Sequence, residues 1–322
     1  MHIPDNYLSP ETCAVLGAAM IPVWAVAVRK VKEDMSAKKV PVVGILAAFS
    51  FLIMMFNIPL PGGTTGHAVG GTLVAILVGP WAACIAVTVA LLIQALFFGD
   101  GGILAFGANC FNMAFVLPFA GYSIFILLKS ILRMKAGGYI AAFIASYSAL
   151  ALSALSAAVQ FGIQPILFKD AAGPLYCPYP LGVSIPAMML PHLLAACFIE
   201  AIVTAGVYGY VRALSPDIVH GDRPVKMKPL YALIIGMVLL SPLGLLAAGT
   251  AWGEWAVDDL RALVGRLPTG MANGFDFRAI MPDYTVPGVP HEAAGYIISA
   301  IFGASVLIFA ARIASIAAKK SE

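Results

Sequence analysis

Eight stretches of the chain are apolar enough, over 18 or more residues, to exclude a water-facing existence: 11–29, 41–60, 81–98, 109–128, 139–163, 186–211, 229–249 and 293–316. A helix needs about 20 such residues to cross roughly 30 Å of hydrocarbon. Charged residues are only 11% of the chain, against about 25% in ordinary soluble domains. With no water to satisfy backbone groups in lipid, the spanning segments must be helical or close into a barrel, and runs of this length point to helices. The sequence therefore predicts an all-α, polytopic transmembrane helical bundle in the cell membrane, multi-pass, with the lipid bilayer as its solvent.

A ninth apolar piece, 67–78, ends at Gly79-Pro80. Basic residues decide how to count it. They gather in 29–39, 129–135, 212–228 and the carboxyl-terminal tail, and basic loops favour the cytoplasm. Putting all four clusters inside requires 67–78 to cross separately from 81–98, with Pro80 interrupting the helix ladder. The expected topology is about seven helices in a core plus two C-terminal helices, amino terminus outside and carboxyl terminus inside. The division expected is a core over 1–213, a cytoplasmic linker over 214–228, and a two-helix portion over 229–322 with an external loop at 250–292. That loop holds six acidic residues, three Arg and no Lys. Five scattered cysteines without CxxC spacing read as small buried hydrophobes.

The chain opens MHIPDNYLSP. Its first Lys or Arg is Arg29, so the start lacks the basic region of a cleavable signal. Met1 is expected to remain, because His2 is too large to favour removal of the initiator. An α-amine with a pKa near 7.7–8.0 is partly neutral at pH 7. Together with the His2 amide nitrogen it can close a five-membered ring on a metal ion, and the amide with His2 Nδ1 closes a six-membered ring. Three coplanar nitrogens suit Ni(II), Cu(II) or low-spin Co(II) better than tetrahedral Zn(II). His67, in the Gly-rich segment PLPGGTTGHAVGG, is the natural fourth donor, although a helix-capping imidazole is the competing reading. Nothing in the spacing brings the two histidines together.

The motifs MHIPDNYLSP, PGGTTGHAVGGTLVAILVGPWAA and GDGGILAFGANCFNMA, in that order, resemble the nickel/cobalt substrate-binding (S) subunit of energy-coupling factor importers over about residues 1–215. The 229–318 portion, with MPDYTVPG in its loop, is similar to the small two-span accessory subunit of the same systems, fused here. The resemblance implies metal binding by Met1, His2 and His67, with Ni(II) or Co(II) as substrate and no cofactor of the chain's own. Pro-Asp after His2-Ile3 looks more like nickel-type members. The family has Gly where this chain has Asn6, a residue that tolerates left-handed backbone. The implied partners are a transmembrane coupling subunit and two cytoplasmic ATP-binding subunits, with no nucleic acid. A GxxxxGK[ST] phosphate loop is absent from the sequence, so the chain itself is expected not to be an enzyme.

Other polar residues carry weaker expectations. Gln94, Asn109 and Asn112 are candidates to orient His67, against ordinary interhelical hydrogen bonds. His192 and Glu200 lie about 80° apart around one helix, as a structural pair or subunit contact facing the bundle. His291, beside Glu292 and near Asp283, reads as a solvated loop residue or a weak ion collector. The small-residue run 141–158, and Gly44 with Ala48, can pack helices closely, internally or against a partner. A metalloprotease would need a general base beside its metal, and no HExxH occurs. An ion channel or proton-coupled carrier would carry more intramembrane carboxylates than Glu200.

Overall fold

The computed structural model describes residues 1–35, 39–171, 173–220, 225–247 and 249–319. The helices that organise the chain are α1 Pro10–Asp34, α2 Val40–Met54, α3 Gly71–Val78, α4 Pro80–Phe98, α5 Phe106–Ile131, α6 Gly137–Leu167, α7 Leu181–Leu214, α8 Met227–Leu246 and α9 Glu292–Ala317. Seven of them, all but α2 and α3, are long and apolar enough to cross a membrane. Strand structure among the described residues is confined to two minimal hairpins. The surface carries large exposed apolar side chains such as Val15, Ile21, Leu194, Ile202, Leu239 and Phe309, as a bundle solvated by lipid tails requires.

Two of the expected spans are shorter than the hydropathy suggests. The 41–60 run stops being helical at Met54. Pro59 and Pro61 cannot donate to a ladder, and Ile58–Leu60 instead pairs antiparallel with Thr64–Gly66. The 67–78 piece is helical only over Gly71–Val78, about 12 Å at 1.5 Å per residue, too little to cross alone. The break at Gly79-Pro80 stands where the sequence places it. Gly79 takes φ +85°, a conformation open to glycine, and Pro80 begins α4. The linker region 214–228 falls partly outside the described residues.

The shortness of α2 goes with its position. It is apolar on every side and buried almost throughout, from Val42 to Met54, as a helix at the centre of a bundle should be. It packs against α4, α8 and α9. The Gly44 surface is an internal contact: a Cβ at Gly44 would overlap Ala311 on α9. The 141–158 run likewise turns inward, with Ala141, Ala142, Ala145, Ala149, Ala154, Ala157 and Ala158 all buried as α6 packs between α5 and α7. All five cysteines are free and buried.

Among the described residues, three π-helical turns interrupt this regularity: Gln94–Phe98 in α4, Cys110–Val116 in α5 and His192–Ala196 in α7. Such turns recur at functional sites because the extra residue redirects side chains. Two begin on polar residues singled out in the sequence, Gln94 and His192, and the third contains Asn112.

Gly44→Ala is expected to destabilise the fold by about 1–3 kcal/mol, the range for overpacking, and adding Ala311→Gly is expected to restore most of the loss. Thermal unfolding of the purified protein in detergent measures both. A single variant as stable as wild type would show that α9 does not approach α2 this closely.

Candidate functional site

Residues 1–9 form no regular structure, so their backbone groups need partners from elsewhere. The bundle provides them. Asn109 accepts from the Ile3 N–H at 2.8 Å and donates to the Ile3 carbonyl at 3.0 Å, while Gly102 N–H donates to that carbonyl at 2.9 Å. The Asp5 carboxylate accepts from the N–H groups of Ile103, Leu104 and Ala105 at 2.9, 2.7 and 3.3 Å, just ahead of α5, where orphan amides favour an anion. Asn6 turns the chain with φ +69° and exchanges hydrogen bonds with the Phe275 backbone at 2.8 and 2.9 Å. Tyr7 O–H donates to the Trp255 carbonyl at 2.9 Å. Ser9 N–H donates to Gln164 Oε1 at 2.9 Å, and Ser9 Oγ caps α1 by accepting from Thr12 N–H. The result is a terminus inside the protein: Met1 is 5% exposed, His2 2% and Ile3 0%.

His67 arrives from the opposite direction. It follows the hairpin Ile58–Leu60/Thr64–Gly66 and precedes α3. Glu200, fully buried on α7, accepts from Val69 N–H at 2.7 Å and Gly70 N–H at 3.1 Å, and Ser50 Oγ donates to the Val69 carbonyl at 2.8 Å. This carboxylate thus fixes Val69 and Gly70, the second and third residues beyond the histidine. Glu200 and His192 are not a pair: His192 Nδ1 meets the Met188 carbonyl at 2.7 Å, within its own helix.

The two ends meet. His67 Nε2 lies 3.2 Å from His2 Nδ1, and His67 Nδ1 lies 3.1 Å from the Ala68 carbonyl. The ring centroids are 5.0 Å apart, tilted by 42°. The Met1 amine lies 3.4 Å from Glu254 Oε1, and His2 Nδ1 lies 3.1 Å from Asp100 Oδ1. Burial, reinforced by the α-ammonium, pushes the His2 imidazole down to about 3. Burial, then His2 and the ammonium, pushes His67 down to about 3. Both rings are therefore neutral near pH 7, the form that offers lone pairs. Burial pushes the Glu254 carboxyl up to about 7, with the ammonium pulling the other way.

The three candidates for orienting His67 do other work. Gln94 lies beside the His2 ring, and its Nε2 donates to Tyr284 Oη at 2.9 Å and Asp100 Oδ2 at 3.2 Å. Gln94 Oε1 and His2 Nε2 are both buried without a hydrogen-bond partner among the described residues. Asn109 holds Ile3. Asn112 joins α5 to α6, where Gln160 Nε2 and Ser156 Oγ donate to its Oδ1, each at 2.7 Å. His291 is exposed and its Nδ1 accepts from Ala294 N–H at 3.3 Å at the start of α9. Asp100, Glu254 and Tyr284 escaped sequence reasoning. For Asp100 the signal was its place in GDGG, and for Glu254 its place between Trp252 and Trp255 in an acidic loop.

Asn109→Ala is expected to leave the buried Ile3 N–H without its acceptor, at about 1–3 kcal/mol. Hydrogen exchange over residues 2–9 should then rise tenfold or more. Unchanged protection would mean that the segment is held by other bonds.

The chain matches the family model described as the cobalt uptake substrate-specific transmembrane region over residues 2–218, and the PDGLE domain over residues 227–320. The probable fused nickel transport protein LarMN of Lactiplantibacillus plantarum is 50% identical over 320 residues, covering 96% of this chain and 95% of that protein. The fused nickel transport protein NikMN of Rhodobacter capsulatus is 47% identical over 330 residues, covering 96% of this chain and 95% of its own length. A crystal structure described as a truncated transition metal transporter superposes with a TM-score of 0.63 at 53% identity, covering 66% of this chain and 99% of that one. The chain is therefore a multi-pass membrane protein of the nickel/cobalt S-subunit family of energy-coupling factor importers, fused to the accessory subunit of those systems.

Proposed function

We propose that this chain captures Ni(II) outside the cell, with Co(II) as the competing substrate, and delivers it inward as the substrate-specific subunit of an ATP-driven importer. In this reading residues 1–213 form the capture core, 214–228 a cytoplasmic linker and 229–322 the accessory portion. The amino terminus faces outward and the carboxyl terminus inward. A separate transmembrane coupling subunit and two ATP-binding subunits supply the energy. The chain itself catalyses no reaction.

One observation carries the reading: His2 Nδ1 and His67 Nε2 stand 3.2 Å apart with the Met1 amine buried beside them. Four nitrogens would surround the ion in a plane: the Met1 amine, the His2 amide nitrogen, His2 Nδ1 and His67 Nε2. In such a square His67 lies opposite the amide and adjacent to Nδ1. Adjacent donors at about 2.0 Å from a metal are about 2.8 Å apart, so the rings need close by only a few tenths of an ångström. A proton on His2 Nε2, on the ring beside Gln94, would leave Nδ1 bare for the ion, the tautomer control that neighbouring groups exert on metal-binding histidines. Planar nitrogen coordination favours Ni(II) over Zn(II).

Calorimetry on the purified full-length chain tests this. Ni(II) affinity is expected to fall at least 100-fold in His2→Ala, in His67→Ala and in a form extended by one residue before Met1. Because the amide and amine must lose protons, affinity should also weaken as pH falls from 8 to 6. An extended form that binds Ni(II) as tightly as wild type would rule out the terminal chelate.

A further inference from the structure

The polypeptide beyond α8 reaches back to the site. Trp252 N–H donates to Thr64 Oγ1 at 2.7 Å, on the hairpin that leads to His67. Tyr7 O–H holds the Trp255 carbonyl at 2.9 Å. Between these two anchors stands Glu254, with Oε1 3.4 Å from the Met1 amine and its carboxylate facing the His2 backbone N–H. The tryptophans on either side are themselves packed: Trp252 meets Trp255, Phe161 and Tyr179 edge-on or tilted at centroid distances of 5.4 to 5.8 Å. The backbone carrying Glu254 is thus fastened on both sides, and its carboxylate points at the chain's leading dipeptide.

Resting on the planar-site reading above, we infer that Glu254 is a positioning residue for Met1 and His2, so that a loop of the fused C-terminal portion braces the metal site contributed by the core. Two physical effects follow from its place. Its carboxylate holds the amine and faces the amide N–H, which fixes the conformation of the leading dipeptide. In its ionised form it also sets a negative charge against the ion. A divalent cation held by one deprotonated amide and three neutral nitrogens leaves a net positive charge in a buried site, which is costly unless compensated. Glu254 compensates from outside the ring of donors and is not itself a donor. The inference differs from a purely assembling role for residues 229–322, because it ties their loop to affinity for the ion.

The test uses the full-length purified chain at one fixed pH, with Ni(II) alone as probe. Glu254→Gln keeps the shape and removes the charge; Glu254→Asp keeps the charge. Calorimetry is expected to show Ni(II) binding weakened tenfold or more in Glu254→Gln and largely recovered in Glu254→Asp. The visible absorption band of bound Ni(II) should keep its wavelength in both, since the donor set is unchanged. Wild-type affinity in Glu254→Gln, or a shifted band, or loss without recovery in Glu254→Asp, would each overturn the assignment while leaving the planar site standing. Wild-type protein that takes up no Ni(II) would instead sink the planar-site reading and this inference with it.

Discussion

The structure depends on how nine irregular residues are fastened inside a helical bundle. A buried extended peptide has donors and acceptors at every residue, and each costs free energy when left unpaired. Here side chains from the bundle take that role: Asn109 on α5 brackets Ile3, Gln164 on α6 meets Ser9, and Asp5 returns the favour by seating its carboxylate on amides ahead of α5. These bonds set the depth at which Met1 and His2 lie. Without them the amine and first imidazole would have no defined relation to His67.

The other wall is set by a different device. His67 stands between a hairpin and α3, on backbone that hydropathy cannot hold in place. Glu200 supplies the fixed point by accepting two N–H groups at the entry to α3. A carboxylate with no cationic partner among the described residues is tolerable at that depth because amide donors at a helix start stabilise negative charge. The two histidines are therefore positioned by separate sets of bonds, one on α5 and α6 and one on α7. That independence makes their 3.2 Å approach a product of the whole fold and not of local sequence.

The helices were legible because bilayer length and apolar content leave few alternatives. Where the sequence misled, the cause was local: Pro59 and Pro61 cut the second span short, and α3 is an eight-residue helix within a longer apolar run. The left-handed turn at Asn6 was legible from the family's glycine at that place together with the tolerance of Asn for such backbone. The small-residue run in α6 showed close packing but not its partner, since an alanine face suits a neighbouring helix and a separate subunit equally. The partners of Asn112, Gln94 and Glu200 were not legible. Their contacts join residues far apart in sequence, such as Val69 with Glu200 and Gln94 with Tyr284, and no periodicity encodes which polar groups meet across helices. Glu254 is the extreme case: it meets Met1 across 253 positions, and in the sequence it was one acid among six in a loop.

The π-helical turns connect these observations. A regular α-helix starting at Pro80 would carry its polar residues around the axis in fixed steps of about 100°. The widened turn beginning at Gln94 resets that phase near the end of α4 and precedes the GDGG segment, so Gln94 and Asp100 both reach Tyr284 while also lying beside His2. The same device in α5 places Asn112 against Gln160 and Ser156 on α6, directly after Asn109 has bracketed Ile3. Helices that must be apolar toward lipid have few positions for polar side chains. Local departures from regularity let those few converge at one end of the bundle, which is where the leading residues of the chain are held.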